Sequence, residues 1–490
     1  MASKSEVLDL TRLDQTMLRV YVRQLLVFPF PDFCQKEEAQ AALVAGLLAT
    51  LKQFPFLAGT VEQKDPRTGA LALRYPKSID SEIATRLLQV NNSDVNGLDY
   101  DTLCEAGVPP SQLPSDILCP FVLRSHPGMD DPFAEGLTTF TKGLPIPVFA
   151  AQISFILNGL ILSAYTHHSV VDGTGIAKIY QVWSAHTRSY SYGMEIPQQV
   201  EATELNKARH ALDSLISDAP TMDLPEFRFP GDYINPPLRD TPYGLSAKVF
   251  VFSASTILKL AASLSTFTKE RISNFTALTA LIWCQITNAR REAMLKKGIQ
   301  KTTVGLAIDH RKRVGSLIPN DYIGNCASGM TVSLPLSTMF SIETMNVEHI
   351  APIALSVSQG LSEINLDWFR ARLSAMSRQE NSSKLLLNVS TCNGPDIFIT
   401  SWMHIGADDV WATASTAKIE AEDGEMRRWE CKPTAIRKPQ SKSEGGIQIL
   451  PRRKGDEAPF ETLICLEEGE MERTVKGLQD GNWVEKIVDG

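Results

Sequence analysis

Residues 151–175 read AQISFILNGLILSAYTHHSVVDGTG, and this stretch decides how the chain is organised. Two apolar, β-branched-rich runs, 151–157 and 160–166, are joined by Asn158-Gly159, the pair preferred in two-residue hairpin turns. The second run delivers the chain to His167 and His168. Beyond Asp172-Gly173-Thr174-Gly175, the apolar positions Ile176, Ile179, Tyr180 and Trp183 fall on one helical face, with Thr174 as candidate cap. The histidines are therefore expected in a short connection between a strand and a helix. Such a connection is anchored on both sides, which suits a catalytic group.

Upstream, Leu43, Leu47 and Leu51 mark a helix over 38–51 that should stop before Pro55. Residues 72–76 look like a strand, and 105–145 are loop-rich with many prolines. Downstream, 187–247 is again rich in proline and reads as a crossover, with a helix possible over 202–216. Ile257, Leu260, Ala261 and Leu264 mark one later helix; Phe275, Leu278, Ile282 and Ile286 mark another, capped by Ser273. Residues 421–446 are charged and rich in Gly, Lys and Pro, as a mobile loop would be. The expected division is 1–200, a crossover over 201–247, and 248–490.

The 490 residues carry a formal net charge of -8, which argues against a nucleic-acid binder. A local basic patch for an anionic cofactor stays open. The start, Met1-Ala-Ser-Lys-Ser-Glu-Val, has no basic segment followed by an apolar one, so no signal peptide is expected. No apolar run approaches the length of a bilayer span. Eight cysteines without CxxC pairs are expected to be reduced and mostly buried in a cytoplasmic protein. No partner chain is implied, and a monomer is expected.

The chemistry rests on the two histidines. A reaction in which a neutral hydroxyl attacks needs a base, because that hydroxyl is a poor nucleophile at neutral pH. An imidazole, with an ordinary pKa of about 6.5, is mostly neutral there and can take the proton. In extended backbone, neighbouring side chains point to opposite faces, so one of the two histidines serves. Spacing alone does not say which. A metal site is not expected, since the other histidines and the cysteines show no ligand spacing. A cysteine acyl-enzyme is not expected either, because no cysteine has a local His or Asp pattern.

Several separated segments together resemble the BAHD-type acyltransferases, and within them the fungal secondary-metabolite branch of trichothecene-acetyltransferase-like enzymes. They are Leu10-Thr-Arg-Leu-Asp14, Leu51-Lys-Gln-Phe-Pro55-Phe-Leu-Ala-Gly59, His167 to Gly173, Phe275-Thr-Ala-Leu-Thr-Ala-Leu-Ile-Trp283, Asp309-His-Arg311, Tyr322-Ile-Gly-Asn325, Ile399-Thr-Ser-Trp402, and Gly446-Ile-Gln-Ile-Leu-Pro451. The resemblance covers nearly the whole chain. It implies an α/β architecture of two chloramphenicol-acetyltransferase-like domains with a central channel at their interface. It implies an acyl-CoA co-substrate, acetyl-CoA first among them, and a small-molecule hydroxyl as acceptor, with no permanently bound cofactor. It implies that His168 is the base, supported by His167 and Gly173, and that Asp172 turns away to pair with an arginine, Arg311 by motif position.

Coenzyme A is polyanionic and wants lysine or arginine. Lys269, Arg271 and Arg290 are candidates, and the resemblance places Ser273 and Ser401 near the pantetheine arm. Trp402 and Trp411 are candidates for the channel wall. Where the family usually carries Asp-Phe-Gly-Trp-Gly, this chain reads Asp408-Asp-Val-Trp411-Ala-Thr-Ala414: both glycines are missing and the tryptophan is shifted. Two alternatives stand beside the main reading. One is a condensation-domain-like enzyme fed by a carrier-protein thioester; the other is a non-catalytic or repurposed relative.

Overall fold

The hairpin read from the sequence forms the centre of the first sheet. Phe149–Ile156 and Gly159–His167 pair antiparallel, with Phe149 opposite Thr166 and Ile156 opposite Gly159. Every residue of both strands is buried, which is why the runs are continuously apolar rather than alternating. The computed structural model describes residues 5–30, 35–91, 95, 97–140, 142–191, 195, 197–217, 219–229, 232–319, 321–340, 345–381, 384–412, 419–420, 426–427, 431–440 and 442–490.

The turn is shifted by one residue from the expectation. The unpaired residues are Leu157 and Asn158, not Asn158 and Gly159. Leu157 is held aside by backbone bonds with Leu98 and Tyr100, and Asn158 takes the left-handed conformation at φ 55°. Gly159 instead opens the second strand, where a Cβ would come within 2.6 Å of the Tyr100 Cβ. The glycine answers a packing need, and the asparagine supplies the turn.

On the other side of the hairpin, Tyr21–Pro29 pairs antiparallel with Gly159–His167, and Leu88–Asn91 runs parallel to Phe149–Ile156. The outer edge next to Tyr21–Pro29 is filled by Ala435–Arg437. This corrects part of the mobile-loop expectation for 421–446: three of those residues form an edge strand. Residues 421–425, 428–430 and 441 of that expectation lie outside the described residues.

A second sheet has seven strands in the order Ala327–Pro335, Lys301–Asp309, Ile397–Ser401, Gly446–Ile449, Phe460–Glu467, Leu245–Phe252 and Lys486–Asp489. Asn274–Ala289 packs in the core of this half, and Ser273 caps it as expected, accepting the Thr276 N–H at 3.1 Å. Its residues are buried nearly all round, as in a central helix. The two main cores overlap at their borders. Leu13 lies in the second, while Ile323, Trp402, Ile405, Trp411 and Ile436 lie in the first. Among the described residues no helix is long and apolar enough to cross a membrane.

The helices Lys36–Gln53 and Gly173–Ser191 cover the first sheet's core and touch each other closely. The first ends ahead of Pro55, as expected. Their crossing depends on Gly46, where a Cβ would lie 2.3 Å from Thr187 Oγ1 and 2.8 Å from its backbone nitrogen. Glycine in a helix ordinarily costs about 1 kcal/mol against alanine. Here the neighbour is backbone and cannot yield, and overpacking costs typically about 1–3 kcal/mol. Gly46→Ala is therefore expected to lower stability by about 1 kcal/mol or more, read as a lower midpoint in urea unfolding; an unchanged or raised midpoint would show that the helices are not in this contact.

Candidate active site

His167 ends its strand opposite Tyr21, and its ring is fully buried. It stands edge-on to Tyr21 at 5.2 Å and to Phe140 at 6.0 Å, and among the described residues neither ring nitrogen has a hydrogen-bond partner. Burial, with the neighbouring His168 and Arg19 adding to it, pushes its pKa down to about 3. It is a neutral aromatic spacer. His168, one residue on, has left the strand and is half-buried. Its N–H donates to the Val20 carbonyl at 2.8 Å, and its carbonyl accepts from Asn325 Nδ2 at 2.9 Å. Exposure thus separates two histidines that spacing could not rank.

Asp172 is buried with both oxygens fully engaged. Oδ1 accepts from Arg311 Nη2 at 3.0 Å and from the Gly175 N–H at 2.9 Å. Oδ2 accepts from Arg311 Nη1 at 2.9 Å and from the Cys326 N–H at 2.8 Å. The fork-on-fork contact with the guanidinium fixes orientation as well as distance. Burial opposes the charge of Arg311, yet Asp172, then Asp309, raise its pKa above the ordinary arginine value. The donors are brought together by the second sheet, in which Asp309 pairs with Ala327. Arg311 follows one strand and Cys326 precedes the other, so both arrive at one end of that strand pair.

Two local expectations change. Asp172, not Thr174, caps the helix: Gly175 N–H meets its side chain, and Ile176 N–H meets its carbonyl at 2.9 Å. Thr174 Oγ1 instead donates to Asp309 Oδ2 at 2.9 Å. Gly173 has no positive φ, and a Cβ there would make only ordinary contact, 3.5 Å from Ile405. The position that needs glycine is Gly175, where a Cβ would meet Val171 Cγ1 at 2.5 Å.

The remaining sequence candidates are scattered. Lys269 and Arg271 are exposed between two helices, and Ser273 spends its hydroxyl on the cap. Arg290 is fully buried, bonded through Nε to Glu470 at 2.9 Å and through Nη1 to the Asp396 carbonyl at 2.9 Å. Ser401 ends a strand, and Trp402 beside it is mostly buried in the first core. Trp411 has no exposed surface; it stacks edge-on with Trp183 at 5.4 Å and Phe28 at 5.9 Å. Thr413 and Ala414 of its altered segment lie outside the described residues. The Cys326 thiol, next to Asp172, is pushed up to about 12, by burial first, so it is no ready nucleophile.

Sequence reasoning gave no role to Asn325 and missed Arg209. Asn325 was visible only as one letter of a motif. Arg209 had a signal: it shares a helical face with Leu205, Ala208 and Leu212 in Ala202–Ser214, where a charge calls for a buried partner.

A model described as the Transferase family matches residues 123–410, and one described as the Trichothecene 3-O-acetyltransferase-like N-terminal domain matches residues 20–186. O-acetyltransferase astG of Aspergillus oryzae is 22% identical, over 94% of this chain and 98% of its own. Trichothecene 3-O-acetyltransferase of Fusarium sporotrichioides is 23% identical, over 95% of this chain and 94% of its own. The F. graminearum TRI101 structure complexed with coenzyme A and T-2 mycotoxin superposes with a TM-score of 0.75 at 17% identity, covering 98% of this chain and 99% of that one. At that identity the likeness establishes the fold, the two-domain α/β architecture expected from the sequence.

The buried histidines leave a mark on stability. His167 and His310, which burial also brings down to about 3, reject protons that the unfolded chain accepts at about 6.5. Their share of stability is complete above pH 6.5 and is lost as pH falls toward 3, at up to about 1.4 kcal/mol per pH unit each. Asp396 and Asp409, whose carboxyls burial raises to about 6, work in the opposite direction between about pH 6 and about pH 4. A variant comparison isolates the effect. His167→Phe is expected to gain on wild type by about 1.4 kcal/mol per pH unit between pH 6 and 4.5, in denaturant unfolding. A pH-independent difference would mean that His167 titrates normally. Asp172→Asn, which leaves Arg311 with half its buried partner, is expected to cost about 3–5 kcal/mol in the same measurement.

Proposed function

The chain belongs to the Transferase family, and on that premise we propose that it transfers an acetyl group from acetyl-CoA to a hydroxyl of a small secondary metabolite, with His168 as general base. One observation carries the reading: of the two adjacent histidines, the partly exposed one has its main chain pinned by Val20 on one side and by Asn325, from the other half of the molecule, on the other. A base held this way meets substrates arriving along the junction of the two halves, in a channel with the thioester on one side and the acceptor on the other.

In this reading the acceptor oxygen attacks the thioester carbonyl carbon while its proton passes to His168 Nε2; Nδ1 is buried. The tetrahedral intermediate collapses, the C–S bond breaks, and the coenzyme A thiolate takes the proton back from the imidazolium. No acyl-enzyme forms and no metal is needed. A positioned base contributes about 10²–10⁴ in rate, and holding both substrates together can contribute more. Asp172 and Arg311 do not touch the reacting atoms; they fix the loop that carries the base.

Ser401 and the exposed Lys269, Arg271 and Ser273 stay as candidates for the coenzyme side, and Trp402 for the channel. Arg290 and Trp411 drop out, because neither has a surface to offer a diffusing ligand. The enzyme is read as a monomer in the cytoplasm, where acyl-CoA is supplied, with no nucleic-acid or membrane partner.

Incubation with acetyl-CoA and an extract of host metabolites is expected to give one product heavier by one acetyl group, seen by mass spectrometry. His168→Ala should fold and lose at least about 10² in rate. Turnover with a loaded carrier protein and none with acetyl-CoA would replace the donor. Wild-type turnover in His168→Ala would overturn the base.

A further inference from the structure

A second buried carboxylate repeats what Asp172 does, from a different part of the chain. Asp14 has no exposed surface. Its Oδ2 accepts from the Thr11 N–H at 2.8 Å, in the capping box of Arg12–Thr16, and from Arg209 Nη1. Its Oδ1 accepts from the Asn325 N–H at 3.1 Å and from Asn325 Nδ2 at 2.8 Å. Asp14 therefore takes the N–H of residue 325, and Asp172 takes the N–H of residue 326.

The two arginines close the pattern. Arg209 Nη2 donates to the Ile323 carbonyl at 3.1 Å, and Arg311 Nη2 donates to the Gly324 carbonyl at 2.9 Å. The Tyr322 ring lies under both guanidinium groups, at 5.8 and 5.7 Å. Two Asp–Arg pairs thus grip the segment from Tyr322 to Cys326: Asp172 of the first half with Arg311 of the second, and Asp14 of the N-terminal turn with Arg209 of the crossover helix.

The orientation of the Asn325 amide follows. Its Nδ2 faces two acceptors, Asp14 Oδ1 and the His168 carbonyl. Turned over, its oxygen would face a carboxylate and a carbonyl with no proton between them. The Asp14 charge thus sets which way the amide points, and the amide sets the His168 carbonyl.

We propose that Asp14, held by Arg209, is a positioning residue for the reaction, acting through the Asn325 amide on the main chain of His168. The inference rests on His168 being the base. Asn325→Ala removes the bond to the His168 carbonyl and leaves the Asp14–Arg209 pair intact. It is expected to fold and to lower kcat by about 10- to 10²-fold, the scale of a misplacement of about 1 Å, with KM for acetyl-CoA within about twofold. Asp14→Asn presents an amide that can accept on one side only, so either Arg209 or Asn325 loses its acceptor; kcat should fall in the same way.

Because both act through one link, the double variant should lose about as much kcat as Asn325→Ala alone, whereas independent structural damage would multiply. Rates are taken on folded protein well below each variant's unfolding midpoint. A folded Asn325→Ala with wild-type kcat overturns the proposal, as does a multiplicative double variant. If Asp14→Asn does not fold, the kcat and KM split of Asn325→Ala decides alone. His168→Ala, run beside them, separates the two failures: if it too keeps wild-type turnover, the base assignment has fallen and not merely the positioning route.

Discussion

Asp172 accepts four hydrogen bonds from three places, and the connection from His168 to Asp172 is arranged around that fact. The Gly175 N–H makes it a helix cap, Arg311 makes it half of an ion pair, and the Cys326 N–H ties it to a strand of the second sheet. A buried ion pair is weak evidence for stability, because desolvating two charges costs about what their attraction returns. It is strong evidence for geometry. Only one placement of the 168–172 connection satisfies the carboxylate and its donors together. The hairpin, the start of the Gly173–Ser191 helix and the end of the Asp309–Ala327 strand pair are therefore fixed relative to one another through a single side chain.

Much of this was legible before any coordinates. Short, β-branched-rich apolar runs on both sides of an Asn-Gly pair point to buried strands, and the 3.6-residue pattern after Gly175 points to a helix packed on one face. The pairing of Asp172 with Arg311 followed from motif resemblance, and no periodicity could have supplied it, since 139 residues separate the partners. The errors came where a residue had two plausible jobs. Asn158-Gly159 was read for its turn propensity, but the close approach of Tyr100 claims the glycine. Trp411 was read from a degraded motif, but its ring fills the first core against Trp183. Arg290 was read as a cation for the coenzyme, and Glu470, 180 residues away, explains why it is inside. Long-range partners of buried charges are what local reading cannot see.

The contrast between the adjacent histidines shows how one step along the backbone separates a sealed ring from one that solvent reaches. His167 still belongs to the strand, so its ring enters the layer between Tyr21 and Phe140, where no polar partner waits. His168 begins the turn: its N–H still follows the ladder's register to Val20, beside Tyr21, but its carbonyl turns away to Asn325. The strand's end therefore lies between the two, and its position is set by the pairing of Tyr21 with His167. A register slip of one residue would exchange their surroundings, since it turns every side chain to the other face.

Neither half of the molecule could hold this arrangement alone. A fragment ending before the second sheet would carry Asp14 and Asp172 without the donors of residues 311, 325 and 326. A buried carboxylate stripped of one partner costs about 3–5 kcal/mol, so the fragment would expose both instead and let the connecting loop open. The chemistry asks for the same dependence. In the proposed reaction a thioester and an acceptor meet between the two halves, and a base whose backbone is bonded to both is in place only when both are docked. The two Asp–Arg pairs make closure of the halves and placement of the imidazole one event.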